Sequence, residues 1–460
     1  MMRDITHHLW LAFFVMLMGC GARVRQDCDD LHSSKYSGVE GLDCSGDAGH
    51  ADFEEYESAC FGTASVAGIC QMERIAPGYS PSISGDGRFV AFSSRDPSLV
   101  SEDSNKSADV FVYNRKEDSL NRESISSSGE QANGDSDSPH LSADGRYVLF
   151  RSSASNLVPG DDNESVDVFQ RDLAAGTTKR LVCGGHAGDN YSLIVSADGR
   201  TVVFSSRSAT LVAGDSNGTE DVFMCDVGTN TVTRVSVGND NQQASGPSFT
   251  PSISGDGTVV AFVSCADDLV AGDDNEGCDT FLRQVAIQLT WRLDDSKNES
   301  GSPNSGTSGL SGDGSLVVFD SGSLGLIVYD VDRRTATPVV KSELGPCRLP
   351  GTAPSFDQCN PSGIDIGVSS DGSFVVFKAQ SLDGPPLPEN VREDVFLFNR
   401  DAGVLSVLSK GWKGEAADND SRDPRISTDG RFVVFSSSAS NLVEGDTNGV
   451  DDIFVVGVPQ

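Results

Sequence analysis

Residues 138–182 read SPHLSADGRYVLFRSSASNLVPGDDNESVDVFQRDLAAGTTKRLV. The stretch opens on a short small and apolar segment that runs into Asp144-Gly145. An Asp-Gly pair is a strong short-range hairpin signal, because glycine takes a positive φ without steric cost. Arg146-Tyr147-Val148-Leu149-Phe150 follows, apolar on both faces and so expected to be buried on both sides. A long polar loop leads to a third strand at Asp167-Val168-Phe169. A turn at Ala175-Gly176 leads to a fourth over 177–182. The stretch therefore predicts four short strands, one tight turn and one long acidic loop.

Working outward, relatives of this stretch recur along the chain. Asp86, Asp144, Asp198, Asp256, Asp313, Asp371 and Asp429 are each followed by Gly, at steps of 58, 54, 58, 57, 58 and 58 residues. Repeats on one period are the signature of a repeat architecture. Four antiparallel strands per copy, buried between neighbours, describe a propeller blade. A solenoid would need capping repeats and would leave open ends. The seventh copy has its third strand over 453–456, and a candidate for its fourth lies before the first copy, at 69–75. The expected fold is all-β: a seven-bladed β-propeller of four-stranded antiparallel blades over 66–460. An N-terminal strand completes the last blade and removes two open sheet edges.

The chain has 34 Lys and Arg against 68 Asp and Glu, a formal net charge of −34. Such a surface repels phosphate backbones, so nucleic acid is not an expected partner. Residues 1–20 read as a signal peptide whose apolar run is too short to span a bilayer. Its end, Leu17-Met18-Gly19-Cys20, resembles a bacterial lipobox. That resemblance implies lipidation of Cys20 and an exported protein, anchored to the outer membrane or cell surface and touching the membrane only through its lipid. An ordinary cleaved signal is the competing reading. Residues 21–65 are a polar tether with Cys28, Cys44 and Cys60. Beyond Cys20, ten cysteines remain, and an even number in an exported chain points to disulfides. Cys265 with Cys278 and Cys347 with Cys359 are local candidate pairs. Cys28, Cys44, Cys60 and Cys70 can pair among themselves, which leaves Cys183 and Cys225 without an assigned connectivity.

The one chemical signal is Asp-x-Asn-x-x-x-Asp in the long loop of five copies. It falls at Asp103/Asn105/Asp109, Asp161/Asn163/Asp167, Asp215/Asn217/Asp221, Asp273/Asn275/Asp279 and Asp446/Asn448/Asp452. Alternating oxygen donors suit Ca²⁺, which takes six to eight oxygens, and the loop start resembles an EF-hand. The bidentate Glu and the turn glycine of that loop are missing. The competing reading is structural, since Asp and Asn fold loops by bonding their own backbone. In a four-stranded meander, the second-to-third loops and the blade connections share one face. That face is long-looped, acidic and the expected binding face. The fifth copy lacks the acidic loop and is followed by an insertion at 341–363.

Two motifs are set aside. Gly214-Asp215-Ser216-Asn217-Gly218 matches a nucleophile elbow but lies in an acidic loop, without the strand–turn–helix context that motif needs. His140 and His186 read as surface polar residues, too few for a zinc site or a triad. The run Ser-x-Asp-Gly-Arg-x-Val-x-Phe-x-Ser, at 142–152 and 427–437, resembles the TolB-type, WD40-like propeller repeat of bacterial exported proteins. The resemblance covers about residues 66–458 and implies a propeller used as a binding platform; it supplies no catalytic residues. The N-terminal α/β domain of TolB has no room in 21–65. The expected function is a monomeric, non-catalytic binding or scaffold propeller of the cell envelope, recognising a protein or glycan through its acidic face. The alternatives are a propeller enzyme acting on polysaccharide, a lyase or glycosidase, and a calcium-stiffened structural surface protein.

Overall fold

In the computed structural model, residues 72–181, 193–274, 277–293, 308–320, 326–339, 366–381 and 392–458 are described. Their strands form seven four-stranded antiparallel sheets, and these residues include no helix.

Every blade is built around its Ser-x-Asp-Gly turn. In blade 2, Ser142 Oγ donates to Asp144 Oδ1 at 2.6 Å, and the Arg146 amide donates to the same oxygen at 3.0 Å. The Tyr147 amide donates to Ser142 Oγ at 2.9 Å. The serine-to-aspartate bond recurs in all seven blades, from Ser84–Asp86 to Ser427–Asp429. Glycine is required at the turn for two reasons. Gly145 has φ +66°, and a side chain there would collide with the Phe89 ring of the preceding blade. The turn thus fixes its own hairpin and sets the spacing between blades.

The second and third strands form the middle of each sheet. Phe150 and Phe169 are fully buried and stack at 5.8 Å between ring centroids. The same pair recurs in blades 1, 3, 4, 6 and 7. Blade 5 sets Phe319 against Ile327 instead. The apolar side chains meet between blades: Ala91 and Val110 of blade 1 share a cluster with Val148, Phe150 and Phe169 of blade 2. A single blade would bury too little to offset its chain entropy, so stability comes from blade-on-blade packing.

The ring is closed. Backbone amides near the turns donate from blade to blade, Gly85 to Ala143 O, Ala143 to Ala197 O, Ala197 to Gly255 O and Gly255 to Gly312 O. Asp313 then donates to Ser370 O, Ser370 to Thr428 O, and Asp429 back to Gly85 O at 3.0 Å. Blade 7 is completed by an N-terminal strand, Glu73–Pro77, paired antiparallel with Asp452–Gly457. This is the closing strand expected at 69–75, and it runs two residues farther; residues 69–71 lie outside the described residues. The register is set by Arg74, which lies opposite Phe454 as Arg122, Arg180, Arg234 and Arg292 lie opposite the third-strand phenylalanines of blades 1 to 4. The fourth strand of blade 2 is Thr177–Arg180, ending two residues earlier than expected.

Candidate functional site

The acidic loops have one shape. In blade 1, Asn105 Oδ1 accepts the Ser107 amide at 2.8 Å, while Lys106 between them sits at φ +59°. Asn163, Asn217 and Asn448 repeat the bond, with Glu164, Gly218 and Gly449 at positive φ. Each of these asparagines also turns its amide toward the last Asp of its motif, at 3.5, 2.9, 3.2 and 3.0 Å for Asp109, Asp167, Asp221 and Asp452.

The sequence reading missed the residue that completes the arrangement. Thirteen residues after the last Asp of the motif, four blades carry an arginine on the fourth strand: Arg122, Arg180, Arg234 and Arg292. In blade 2, Arg180 Nη1 lies 2.7 Å from Asp161 and 3.3 Å from Asp167. In blade 4, Arg292 Nη1 lies 2.6 Å from Asp273 and 3.6 Å from Asp279. In blades 1 and 3 the guanidinium stands farther off, at 3.3–3.8 Å. There a glutamine of the blade connection bridges both carboxylates: Gln131 to Asp103 and Asp109, Gln243 to Asp215 and Asp221. In blade 7 the arginine comes from the other end of the chain, as Arg74, 2.9 Å from Asp452 and 3.8 Å from Asp446. The signal was present as a periodic arginine, but it reads as an ordinary strand residue until the sheet folds it over the loop.

The two other blades show what the pair does. Blade 6 keeps the last aspartate as Asp394, which accepts from Ser409 Oγ at 2.8 Å as Asp109 does from Ser124 at 2.6 Å. Val407 stands opposite Phe396 where the arginine would be, and Arg392 serves Asp394 from the same strand at 3.1 Å. Blade 5 has Pro338 at the arginine position, opposite Ile327. Burial raises the carboxyls of Asp109 and Asp221 above the usual range, opposed by hydrogen bonds from Ser124 and Ser236 and by the arginines.

This donor set does not fit a calcium ion as placed. Each carboxylate pair already closes on a cation of the chain, and the asparagine oxygen is taken by a backbone amide. Among the described residues no group of three or more His, Cys, Asp or Glu side chains is arranged to hold a metal. Asn275 lies outside the described residues.

A second feature lies at the ring centre. A cavity of about 410 Å³ is lined by the innermost strand of every blade. Four of those strands carry a bulge where a non-glycine residue of positive φ precedes proline: Ser80, Ser138, Thr250 and Asp423. A residue before proline ordinarily prefers extended backbone. The lining includes Arg151, Arg425, Asp423 and His140. His140 is therefore not the surface residue expected from sequence. Burial, aided by the positive charge of Arg425, pushes its pKa down to about 3. Its backbone pairs with Leu149, and it is among the residues that line the channel. Asp423 Oδ2 accepts from Ser436 Oγ at 3.2 Å, and Asp137 lies 3.7 Å from Arg151.

A scan against protein-family models finds no match, and a search of curated proteins finds none. Solved structures do match. One is TolB from Acinetobacter baumannii, at 20% identity and a TM-score of 0.36, covering 57% of this chain and 53% of that one. The chain is similar to TolB. A structure from Agrobacterium tumefaciens assigned as TolB matches at 16% identity and a TM-score of 0.39, over 74% of this chain and 95% of that one. An oligogalacturonate lyase from Vibrio parahaemolyticus matches at 14% identity and a TM-score of 0.49, over 86% and 93%. The chain spans about half the length of the Acinetobacter TolB structure it matches. The seven-bladed ring rests on the chain's own strand order and not on these likenesses, and no chemistry is carried over from TolB or the lyase.

The remaining sequence candidates fall as follows. Cys265 and Cys278 are disulfide-bonded and bracket the blade 4 loop. Cys225 is also disulfide-bonded, to a partner outside the described residues. Cys20, Cys347, Cys359, His186 and the insertion at 341–363 lie outside the described residues. Ser216 of the elbow-like pentapeptide donates to Gln243 Oε1 at 3.3 Å, as part of the loop lock.

Proposed function

We propose that the protein is a non-catalytic binding platform of the cell envelope, anchored through Cys20, that recognises a glycan or protein with its acidic long-loop face. One observation carries this reading. The loop acids divide into two sets. The first and last Asp of each motif turn inward and are matched by an arginine. The acids beside them, Asp162, Glu164, Asp274, Glu444 and Asp451, are exposed. The fold uses the first set and leaves the second to solvent on rigid loops. Pre-organised polar groups bind with little ordering cost. Trp412, in the connection from blade 6 to blade 7, is 48% exposed and bonds through its amide to Asn441 O of the blade 7 loop. The Lys413 ammonium lies over one face of the indole at 4.3 Å from the ring centroid, and an exposed aromatic ring with a polar neighbour suits a sugar ring.

The test is binding of the fragment from residue 21, with Cys20 omitted, to a glycan array and to a panel of basic proteins. Changing Asp162, Glu164 and Asp451 to lysine, or Trp412 to alanine, should abolish the hits while leaving the melting curve unchanged. Hits that survive all four changes would place recognition elsewhere. The channel, with His140 open to it beside Arg425, supports a second reading as a polysaccharide-cleaving enzyme. New chain ends released from a polysaccharide panel, and lost in His140→Ala, would put that reading first.

A further inference from the structure

Three of the acidic loops carry a second pattern on the same asparagine. Asn105-Lys106-Ser107, Asn163-Glu164-Ser165 and Asn217-Gly218-Thr219 each read Asn-x-Ser/Thr with no proline between. That is the acceptor pattern for N-linked glycans on exported proteins. The loops of blades 4 and 7 lack it, with Gly277 and Val450 two residues after their asparagines. Three residues are a weak motif by themselves, and the fold separates the three copies.

An asparagine side chain carries two N–H hydrogens. In blade 1 Asn105 Nδ2 donates to Ala132 O at 2.8 Å and to Asp109 at 3.5 Å. In blade 3 Asn217 Nδ2 donates to Ala244 O at 2.9 Å and to Asp221 at 3.2 Å. Both hydrogens are therefore engaged in these two loops, one of them on the connection to the next blade. In blade 2 Asn163 Nδ2 donates to Asp167 at 2.9 Å, and among the described residues its second hydrogen has no partner. The blade 2 lock closes instead through Arg180, 2.7 Å from Asp161.

Asn163 is also within reach from outside. It lies on a loop tip whose Pro159, Gly160, Asp162 and Glu164 are exposed, and Asn163 and Ser165 are themselves partly exposed. The Ser165 hydroxyl donates to Asn163 O at 3.2 Å, so asparagine and hydroxyl face the same turn. Another copy of the pattern, Asn419-Asp420-Ser421, fails on its hydroxyl: Ser421 is fully buried and its Oγ pairs with Ser437 Oγ at 2.9 Å. The copies at Asn190 and Asn298 lie outside the described residues.

We propose that Asn163 is an acceptor site for a covalent N-linked glycan, delivered from a polyprenyl-diphosphate-linked oligosaccharide. Asn163 Nδ2 attacks the anomeric carbon of the first sugar. The N–C bond forms, the bond from that carbon to the diphosphate oxygen breaks, the polyprenyl diphosphate leaves with the electron pair, and Nδ2 gives up one proton. The remaining Nδ2 hydrogen stays on Asp167, so the loop keeps its shape. The same step at Asn105 or Asn217 would remove a hydrogen bond that holds the loop. The proposal rests on the envelope location proposed above, because such transfer takes place on the exported side of a membrane.

The experiment has two arms. In the first, the full chain, purified folded in detergent, is incubated with a bacterial oligosaccharyltransferase and its polyprenyl-diphosphate-linked oligosaccharide, and tryptic peptides are read by mass spectrometry. The peptide 152–171 should gain the glycan mass at least about tenfold faster than the peptides holding Asn105 and Asn217, since those must first give up a hydrogen bond. Ser165→Ala should abolish the gain with an unchanged melting curve, and Asn163→Gln should abolish it too. No glycan at Asn163, or equal rates at the three asparagines, would overturn the proposal. In the second arm the chain is recovered from the envelope of cells that make it, and peptide 152–171 should carry a glycan. Chain found in the envelope with a bare Asn163 would overturn the proposal. Chain absent from the envelope would overturn the location instead, and the first arm then decides.

Discussion

Replacing Arg74 by methionine removes the charge that the N-terminal strand brings to blade 7 while keeping most of the side chain's apolar stem. In the folded ring Arg74 Nη2 lies 2.9 Å from Asp452, whose side chain is fully buried, and 3.8 Å from Asp446, which is 4% exposed. Without the guanidinium, Asp452 keeps the Asn448 amide as a donor and faces the Asp446 carboxyl with no cation between them. Removing one partner of a buried pair costs about 3–5 kcal/mol. Arg74 is itself 30% exposed, so solvent screening brings the expected loss to about 2–3 kcal/mol. The loss should shrink at lower pH. Burial and the neighbouring Asp452 already raise the Asp446 carboxyl, and losing Arg74 raises it further. A carboxyl raised in the folded state binds its proton more tightly there, so stability recovers as pH falls toward that value. The assay is urea unfolding at pH 8 and pH 5, with Arg180→Met in blade 2 as reference. Both variants should lower the same cooperative transition by similar amounts. Arg74→Met within about 0.5 kcal/mol of the parent protein, while Arg180→Met loses about 2–3, would refute closure through this strand.

Other outcomes follow from the same geometry. His140 titrates near 3 in the fold against about 6.5 unfolded, so it costs nothing above pH 7 and an increasing penalty below 6.5, about 2 kcal/mol at pH 5. Unfolding of His140→Asn should therefore depend less on pH between 7 and 5 than the parent does. Gly145→Ala should destabilise by about 2–4 kcal/mol, because it adds a collision with Phe89 to the cost of a positive φ, whereas Gly160→Ala, with open space around it, should lose only about 1 kcal/mol. Removing the Cys265–Cys278 disulfide, with a sequence separation of 13, should cost about 2–3 kcal/mol, read as a lower midpoint for Cys265→Ala/Cys278→Ala.

The fold was legible because the Ser-x-Asp-Gly turn makes local chemistry and blade spacing coincide. Serine and glycine are each demanded by the same four residues, so the motif survives every copy. Closure was legible as a topology but not as a register. The residue that fixes the register, Arg74, acts across 378 positions on Asp452. The loops were legible as an Asx pattern. Their arginines were not, because a strand arginine thirteen residues away carries no local mark of its partner. His140 was misread for a related reason. It sits on an inner strand whose bulge turns it into the channel, and the Ser138-Pro139 pair that signals the bulge looks from sequence like a simple strand start.

The central claim is that each loop's carboxylate pair is charge-matched by an arginine of the chain itself, which leaves no need for a metal. It is tested most directly by unfolding the fragment from residue 21 in EDTA and in millimolar Ca²⁺. One site saturated at 100 times its Kd would add about 2.7 kcal/mol. The arginine-locked loops predict superimposable curves. A midpoint several degrees higher in Ca²⁺, reversed by EDTA, would contradict the account and make the loops metal sites.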